Sequence, residues 1–240
     1  LVGKAVTFDT GGISLKPGQG MDEMKFDKCG GCTVLGIMKS VSELKLPINV
    51  VGIIPSVENM PGGEAYRPGD IIKLYNGKTA EILNTDAEGR LILADALAYG
   101  EKQYTPKAIM DFATLTGACI VALGNNVAAI VSNDKQLTKE ITNSSKTTTE
   151  EVWELPLTQD YMDMIKSDVA DIKNVGIGKA AGTITAAAFL KSAIKDTPWV
   201  HFDIAGVAWT QGAATKQKPY NPKGATGFGV RLILDYLQKL

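Results

Sequence analysis

The feature of this sequence that most restricts its fold is the alternation of short apolar runs with longer segments of helical periodicity. The apolar runs, rich in β-branched residues, predict strands over Leu1–Phe8, Ile48–Pro55, Ala108–Ala113, Ala128–Ser132 and Trp199–Ile204. Apolar residues at helical spacing predict helices over Gly31–Leu44, Leu91–Lys102, Asp134–Asn143, Thr183–Ile194 and Thr226–Lys239. Strands that alternate with helices form mostly parallel sheets covered on both faces. We therefore predict an α/β three-layer sandwich whose central sheet is mostly parallel and is flanked by helices.

The overall composition narrows the class of protein. A chain of 240 residues with 45% hydrophobic residues can form a sizeable core, and its net charge of −1 gives no electrostatic basis for binding nucleic acid or a membrane surface. No apolar run approaches the roughly 20 residues that a membrane span needs, and no signal peptide is visible. Three cysteines cannot all pair within the chain, which favours a reducing, cytoplasmic location.

Carboxylates are concentrated in the segment Asn84–Arg90, between a strand-like run and an amphipathic helix. It contains Asp86, Glu88 and Arg90 at intervals of two residues. Upstream, further charged residues stand beside glycines or at element ends: Lys4, Asp9, Lys16 and Asp27. The chain has a single histidine, so a metal site here would be built from oxygen ligands. Oxygen ligands suit a pair of hard or borderline divalent cations.

Convergence of these four carboxylates would itself indicate a cation site. Without metal, one pair of carboxylates about 4 Å apart costs on the order of 4 kcal/mol at an effective dielectric of about 20. Taken singly, each residue is more simply interpreted as a loop or capping carboxylate on a solvated face. Sequence spacing leaves both interpretations open.

The stretches that contain these residues closely resemble the leucyl aminopeptidase family, the cytosolic M17 metallopeptidases. The similarity runs from end to end and is carried by Val2–Lys16, Met21–Asp27, Asn84–Leu91, Ala113–Ala118 and His201–Gly206. It implies a phosphorylase/hydrolase-like fold in which residues 1–240 form most of a C-terminal catalytic domain. An N-terminal domain and the start of the catalytic domain would precede Leu1, which is not a methionine. We expect residues 1–240 alone to be poorly soluble, because a bare sheet face would expose apolar surface.

The resemblance implies a role for each charged residue. Asp9 and Glu88 would bridge two divalent cations, which would be Mn²⁺, Zn²⁺ or Mg²⁺. Asp86 would bind the more exchangeable cation, while Lys4, as a neutral amine, and Asp27 would complete the tighter site. The catalytic residues would be Lys16, which stabilises the oxyanion, and Arg90, which holds a bicarbonate ion acting as general base.

The resemblance also implies the substrate and the assembly. Peptides with a free N-terminus would bind through their α-amine to the metals and Asp27, and bulky uncharged first residues would be preferred. The substrate-binding residues for the first side chain would be Met24, Thr114, Gly117, Ala205 and Ala208. In the animal enzymes of this family the position of Ala208 is often methionine, so a roomier pocket is expected here. The family forms a homo-hexamer, which we expect for this chain too.

Several alternatives remain open at this stage. A dipeptidase could use the same residues, a non-catalytic member of the fold could retain them, and a nucleotide-binding enzyme is suggested by the segment Gly176–Gly182. This segment lacks the Ser or Thr that should follow Lys179 in a phosphate loop and more simply predicts a flexible loop, whose lysine could face the active-site cleft. Small, partly buried side chains account for the CxxC pair Cys29 and Cys32. We expect His201, Trp199 and Trp209 to be packing residues, and Thr210–Gly224, which contains Pro219 and Pro222, to form a surface loop.

Overall fold

A computed structural model describes residues 1–176, 178, 180–210, 220–221 and 223–240. The interpretations that involve Lys179 and most of the predicted loop Thr210–Gly224 concern residues outside this set. The strands are β1 (Val2–Gly3), β2 (Ala5–Asp9), β3 (Ser56–Asn59), β4 (Ile71–Lys73), β5 (Thr79–Glu81), β6 (Ile109–Ala113), β7 (Ala128–Ser132), β8 (Val152–Glu154), β9 (Ile172–Lys173) and β10 (Trp199–Asp203). The helices are α1 (Cys29–Leu44), α2 (Gly89–Tyr104), α3 (Gly117–Leu123), α4 (Lys135–Thr148), α5 (Gln159–Asp163), α6 (Gly182–Lys191) and α7 (Val230–Leu237), and a 3-10 helix spans Met21–Phe26.

The central sheet has five strands in the order β1-β6-β10-β7-β8. Its pairings are parallel except that β10 and β7 run antiparallel. Two smaller sheets lie beside it: β2 pairs in parallel with β3, and β4, β5 and β9 form a three-stranded sheet. The predicted mostly parallel central sheet is therefore confirmed.

Helices cover both faces of the central sheet, as predicted. On one face α1, α4 and α7 pack together over a core that includes Phe112 and Phe202. On the other face α2 and α6 pack over Ile109, Ala113 and Trp199. Alternate residues of β6 and β10 thus point to opposite cores, which is the pattern of strands buried on both sides.

The start of α1 lies unusually close to the sheet. A Cβ on Gly30 would lie 2.0 Å from the carbonyl oxygen of Phe112, and the amide of Gly31 donates to the carbonyl of Lys4 at 2.7 Å. The glycines of the CxxC segment therefore permit a close approach that fixes Asp27, just before α1, against Lys4. Cys29 is buried, as predicted for the CxxC pair, whereas Cys32 is exposed. The prediction of burial is therefore wrong for Cys32.

The structure differs from the sequence predictions at some elements. The segment Ile48–Pro55 was predicted as a strand, but the strand in this region is β3, at Ser56–Asn59. The last helix begins at Val230 rather than Thr226, and α4 continues to Thr148. Helix α3 and the small sheet of β4, β5 and β9 were not predicted. Across the described ranges, every helix is too short or too polar to cross a bilayer.

Candidate metal centre

The charged residues singled out in the sequence meet where several elements end. Lys4 lies between β1 and β2, Asp9 is the last residue of β2, and Asp27 lies between the 3-10 helix and α1. Glu88 immediately precedes α2. Carboxylate oxygens of Asp9, Asp86 and Glu88 lie within 4.8 Å of one another. The structure therefore brings together carboxylates that are up to 79 positions apart in the sequence.

Lys4 joins two buried carboxylates, those of Asp27 and Glu88. Its Nζ lies 2.8 Å from Oδ1 of Asp27 and 2.8 Å from Oε1 of Glu88, and it donates to the carbonyl of Thr114 at 3.2 Å. All three charged side chains are buried. Although burial alone would lower the pKa of Lys4, the two carboxylates raise it above its ordinary value.

Lys16 joins the other two carboxylates. Its Nζ lies 2.9 Å from Oδ2 of Asp9 and also contacts Oδ1 of Asp86. This part of the site is more open, because the side chains of Lys16 and Asp86 are 22% and 32% exposed whereas that of Asp9 is 4% exposed. The pKa of Lys16 is raised, because its attraction to Asp9 and Asp86 outweighs burial.

Among the residues that the structure describes, four carboxylates face two ammonium groups at this site, so the described lysines do not balance its negative charge. Burial raises the pKa of Asp27 and of Asp86 in spite of the lysine that contacts each of them. Among the described residues, Oδ2 of Asp27 and Oε2 of Glu88 are buried without a hydrogen-bond partner. Buried carboxylate oxygens without partners are costly unless a cation binds them. The donor set therefore fits divalent cations.

Several residues for which the sequence predicts no functional role form hydrogen bonds that fix the carboxylates in place. The amide nitrogen Nδ2 of Asn59 donates to Oδ1 of Asp9 at 2.8 Å and to the carbonyl of Thr85 at 3.0 Å. The hydroxyl of Thr85 donates to the carbonyl of Gly11 at 2.6 Å, and Tyr66 donates its own hydroxyl to the Thr85 carbonyl at 2.7 Å. These contacts tie the loop after β2 to the Asn84–Arg90 segment. No local motif marks Asn59 or Tyr66, because their role depends on partners far away in sequence.

Arg90 is buried in the first turn of α2, and its Nη1 donates to the carbonyl of Asn174 at 2.7 Å. Its Nε has no hydrogen-bond partner among the described residues. Burial lowers the pKa of the guanidinium to about 10, against the opposing attraction of Glu88 and Asp203. A buried cation of this kind, with donor capacity to spare, can hold an anion.

Two of the five predicted substrate-binding residues contact Asp27. The hydroxyl of Thr114 donates to Oδ1 of Asp27 at 2.6 Å, and the amide of Asp27 donates to the carbonyl of Met24 at 3.2 Å. The other three lie at the start of α3 and just after β10: Gly117, Ala205 and Ala208. Both alanines are buried, and Ala208 is bonded through its backbone to Ile204 and Thr226.

A buried aspartate organises these segments. Asp203, the last residue of β10, accepts a hydrogen bond from the hydroxyl of Thr116 at 2.6 Å and from the amides of Leu115 and Ala205, each at 3.2 Å. It therefore holds the loop after β6 against the loop after β10. Asp203 lies within the stretch His201–Gly206 that resembles the family, but nothing in its sequence context predicts this bridging role.

The residues interpreted as packing groups behave as predicted. His201 is fully buried, and its Nδ1 lies 2.6 Å from Oδ1 of Asp111. Trp199 is buried and donates through Nε1 to Oδ2 of Asp111 at 2.7 Å. Trp209 stacks on Phe26 with ring centroids 5.7 Å apart.

Comparison with known proteins agrees with this geometry. A sequence model described as the cytosol aminopeptidase family, catalytic domain, matches residues 1–234. A probable cytosol aminopeptidase of Cenarchaeum symbiosum is 76% identical over 238 residues, which are 99% of this chain and 49% of that protein. One from Desulfotalea psychrophila is 55% identical over 240 residues, covering 100% of this chain and 47% of the relative. The chain thus spans about half the length of these curated relatives.

Proposed function

The chain belongs to the cytosol aminopeptidase family, and we propose that it carries the catalytic site of a two-metal aminopeptidase. The reaction is the hydrolytic removal of N-terminal residues, preferentially bulky and uncharged ones, from peptides. The observation that carries the proposal is the cluster of Asp9, Asp86 and Glu88 with oxygens within 4.8 Å of one another. It is joined by one buried oxygen each of Asp27 and Glu88 that has no hydrogen-bond partner within the described part of the chain.

The carboxylates would hold two divalent cations, with Mn²⁺, Zn²⁺ or Mg²⁺ as the metal. Asp9 and Glu88 would bridge the pair, Asp86 would hold the more accessible cation, and Lys4 with Asp27 would complete the deeper site. The greater exposure of Asp86 supports this division. When bound, such cations activate water and the scissile carbonyl as Lewis acids, and a bicarbonate ion supplies a general base.

Lys16 and Arg90 would bind the negatively charged groups of the reaction. Lys16 contacts the same carboxylates that are assigned to the cations, Asp9 and Asp86, so its ammonium would lie beside the cation site. There it would stabilise the oxyanion that develops on the scissile carbonyl. Arg90 would hold the bicarbonate, and its buried Nε without a partner among the described residues supports this role.

The same arrangement suggests how the substrate is selected. Asp27 would contact the free α-amine, with its position fixed by the Thr114 hydroxyl at 2.6 Å. Met24, Thr114, Gly117, Ala205 and Ala208 would surround the first side chain. We further propose a cytoplasmic location and a homo-hexamer for the whole protein, which are properties of the family that the chain resembles.

Hydrolysis of a leucyl reporter by the intact protein tests the function. A chelator should abolish the activity, and added Mn²⁺ or Zn²⁺ should restore it. The N-acetylated reporter should not be cleaved, because it offers no free amine to Asp27. Equal cleavage of free and acetylated reporters would contradict aminopeptidase action.

A pair of carboxylate variants makes this test specific to the site. Asp9→Asn should lose activity at any metal concentration that saturates the parent protein. Asp95→Asn is the matched control, because Asp95 lies on α2 and accepts a hydrogen bond from the amide of Tyr75, and it should retain activity. Retention of full activity by Asp9→Asn would remove the basis of the proposal.

A further inference from the structure

Asn174 is a fully buried residue that lies directly after β9, 84 positions beyond Arg90. Its own amide donates to the carbonyl of Glu81 at 2.9 Å, so the backbone of this residue is fixed to the end of β5. No sequence motif includes it. Its importance rests on what its side chain and carbonyl contact.

The side chain of Asn174 binds the backbone of the metal segment on both sides of Asp86. Its Oδ1 accepts hydrogen bonds from the amides of Leu83 at 2.9 Å and Asn84 at 3.3 Å. Its Nδ2 donates to the carbonyl of Asn84 at 2.6 Å and to that of Ala87 at 3.5 Å. The segment that carries Asp86 is thus held at its entry and at its exit by one side-chain amide.

The backbone of Asn174 holds the next functional residue. Its carbonyl accepts the hydrogen bond of 2.7 Å from Nη1 of Arg90. One residue therefore contacts the backbone before Asp86, the backbone between Asp86 and Glu88, and the side chain of Arg90. A displacement of Asn174 would move all three functional groups relative to one another.

We propose that Asn174 is a positioning residue that holds Asp86, Glu88 and Arg90 in the geometry needed for metal binding and turnover; this inference rests on the proposed function. Asparagine suits the position because its side chain is both an acceptor and a donor. Aspartate would keep the acceptor for the two amides and lose the donors to the two carbonyls. Alanine would remove all of these bonds. Residues that orient metal ligands in this way typically change metal affinity or activity about 10–100-fold when they are altered.

The test compares Asn174→Ala and Asn174→Asp with the parent in the intact protein. We expect both variants to bind Mn²⁺, measured by calorimetric titration, about 10–100-fold more weakly at the Asp86 site. With a leucyl reporter, kcat should fall at low Mn²⁺ and rise again toward the parent value as Mn²⁺ is increased. A residue that only maintained the fold would leave the Mn²⁺ affinity of the folded protein unchanged when it is replaced. If the alanine variant does not fold, the aspartate variant decides by the same readouts.

The matched control is Asn133→Ala. Asn133 also joins distant segments, because its Nδ2 donates to the carbonyl of Thr197 at 3.0 Å and its Oδ1 accepts from the amide of Trp199 at 2.7 Å, but it lies at the opposite end of β10 from Asp203. It should lower the melting temperature without changing Mn²⁺ affinity. The inference is overturned if the Asn174 variants lose only thermal stability and keep the parent's Mn²⁺ affinity and kcat. A parent protein that binds no Mn²⁺ and cleaves no reporter would instead refute the proposed function.

Discussion

At the scale of single residues, the two lysines of the site have different surroundings. Lys4 is buried between Asp27 and Glu88, whereas Lys16 is partly exposed between Asp9 and Asp86. This difference agrees with the distinct roles assigned to them. Spacing and family resemblance were enough to select both lysines from the sequence. Their partners could not be assigned from spacing alone, because each lysine contacts carboxylates from two separate segments.

The first prediction separates the two lysines. Lys16→Ala should still bind two metal equivalents but lose about 10²–10³-fold in kcat, because only oxyanion stabilisation is removed. Lys4→Ala should lose metal occupancy itself. Metal analysis after dialysis and steady-state kinetics measure both effects. Loss of a metal from the Lys16 variant, with full occupancy in the Lys4 variant, would reverse the roles.

Gly89 provides a second test at this scale. A Cβ there would lie 2.5 Å from Cε and 2.8 Å from Nζ of Lys4. The end of a lysine side chain can move, so Gly89→Ala should fold normally while displacing the ammonium from Asp27 and Glu88. We expect weaker binding of the deeper metal with little change in melting temperature.

The control for this variant is Gly63→Ala, because a Cβ on Gly63 would meet no atom within 4 Å. It should match the parent in both metal affinity and melting temperature. Unchanged metal affinity in Gly89→Ala would show that the position of Lys4 does not govern the deeper site.

At the scale of elements, a buried ion pair joins two neighbouring strands of the central sheet. His201 of β10 lies opposite Asp111 of β6, and its Nδ1 is 2.6 Å from the carboxylate. Although burial alone would lower it, the attraction to Asp111 raises the pKa of His201 above its ordinary value. The folded state therefore binds the proton more tightly than the unfolded state, in which the pKa is about 6.5.

This pair predicts a pH-dependent contribution to stability. The contribution should be complete below about pH 6.5 and decline as the pH rises through the pKa of the folded state, by about 1.4 kcal/mol per unit of pKa difference. Urea unfolding of the parent and of His201→Asn, which keeps a neutral donor, should give a stability difference that shrinks from acidic to alkaline pH. A difference that is constant or grows with pH would contradict a charged His201.

The bounds of some strands and helices can be predicted from the sequence, whereas those of others cannot. Segments buried on both sides of the sheet, such as Ala128–Ser132, were predicted with the observed bounds, because their apolar runs are set by the core. The segment Ile48–Pro55 forms only an isolated parallel bridge, between Ile53 and Val2, so the predicted strand is reduced to a single bridge. The neighbouring Ser56–Asn59 is mostly exposed yet pairs with β2, so pairing overrides the apolar pattern. Helix α3 was missed because it has seven residues, too few for periodicity to register.

At the scale of the whole molecule, alternation of strands and helices was enough to predict the three layers. It could not predict the smaller sheet of β4, β5 and β9, whose strands have two or three residues each. That sheet nevertheless matters to the site, because β9 leads into Asn174. The position of Asn174 is therefore a property of the tertiary fold that no local sequence signal records.

Metal binding should stabilise the whole fold, because the site unites segments from β1 to α2. At a metal concentration about 100 times the dissociation constant, the gain is about 2.7 kcal/mol, or about 5–10 °C in melting temperature for a domain of this size. Calorimetric melting with chelator and with Mn²⁺ measures the shift. Glu88→Gln should lose most of this shift in melting temperature. A shift in the variant as large as that of the parent would show that the metal binds elsewhere.

Counting bound metal in the intact protein tests most directly whether these carboxylates hold two divalent cations. After equilibrium dialysis against Mn²⁺ or Zn²⁺, elemental analysis should give two equivalents per chain in the parent. Asp86→Asn should lose mainly the exchangeable equivalent, and Glu88→Gln, assigned to both cations, should be impaired at both sites. One equivalent or none in the parent, or the same loss in the two variants, would contradict the two-metal site and the bridging role of Glu88.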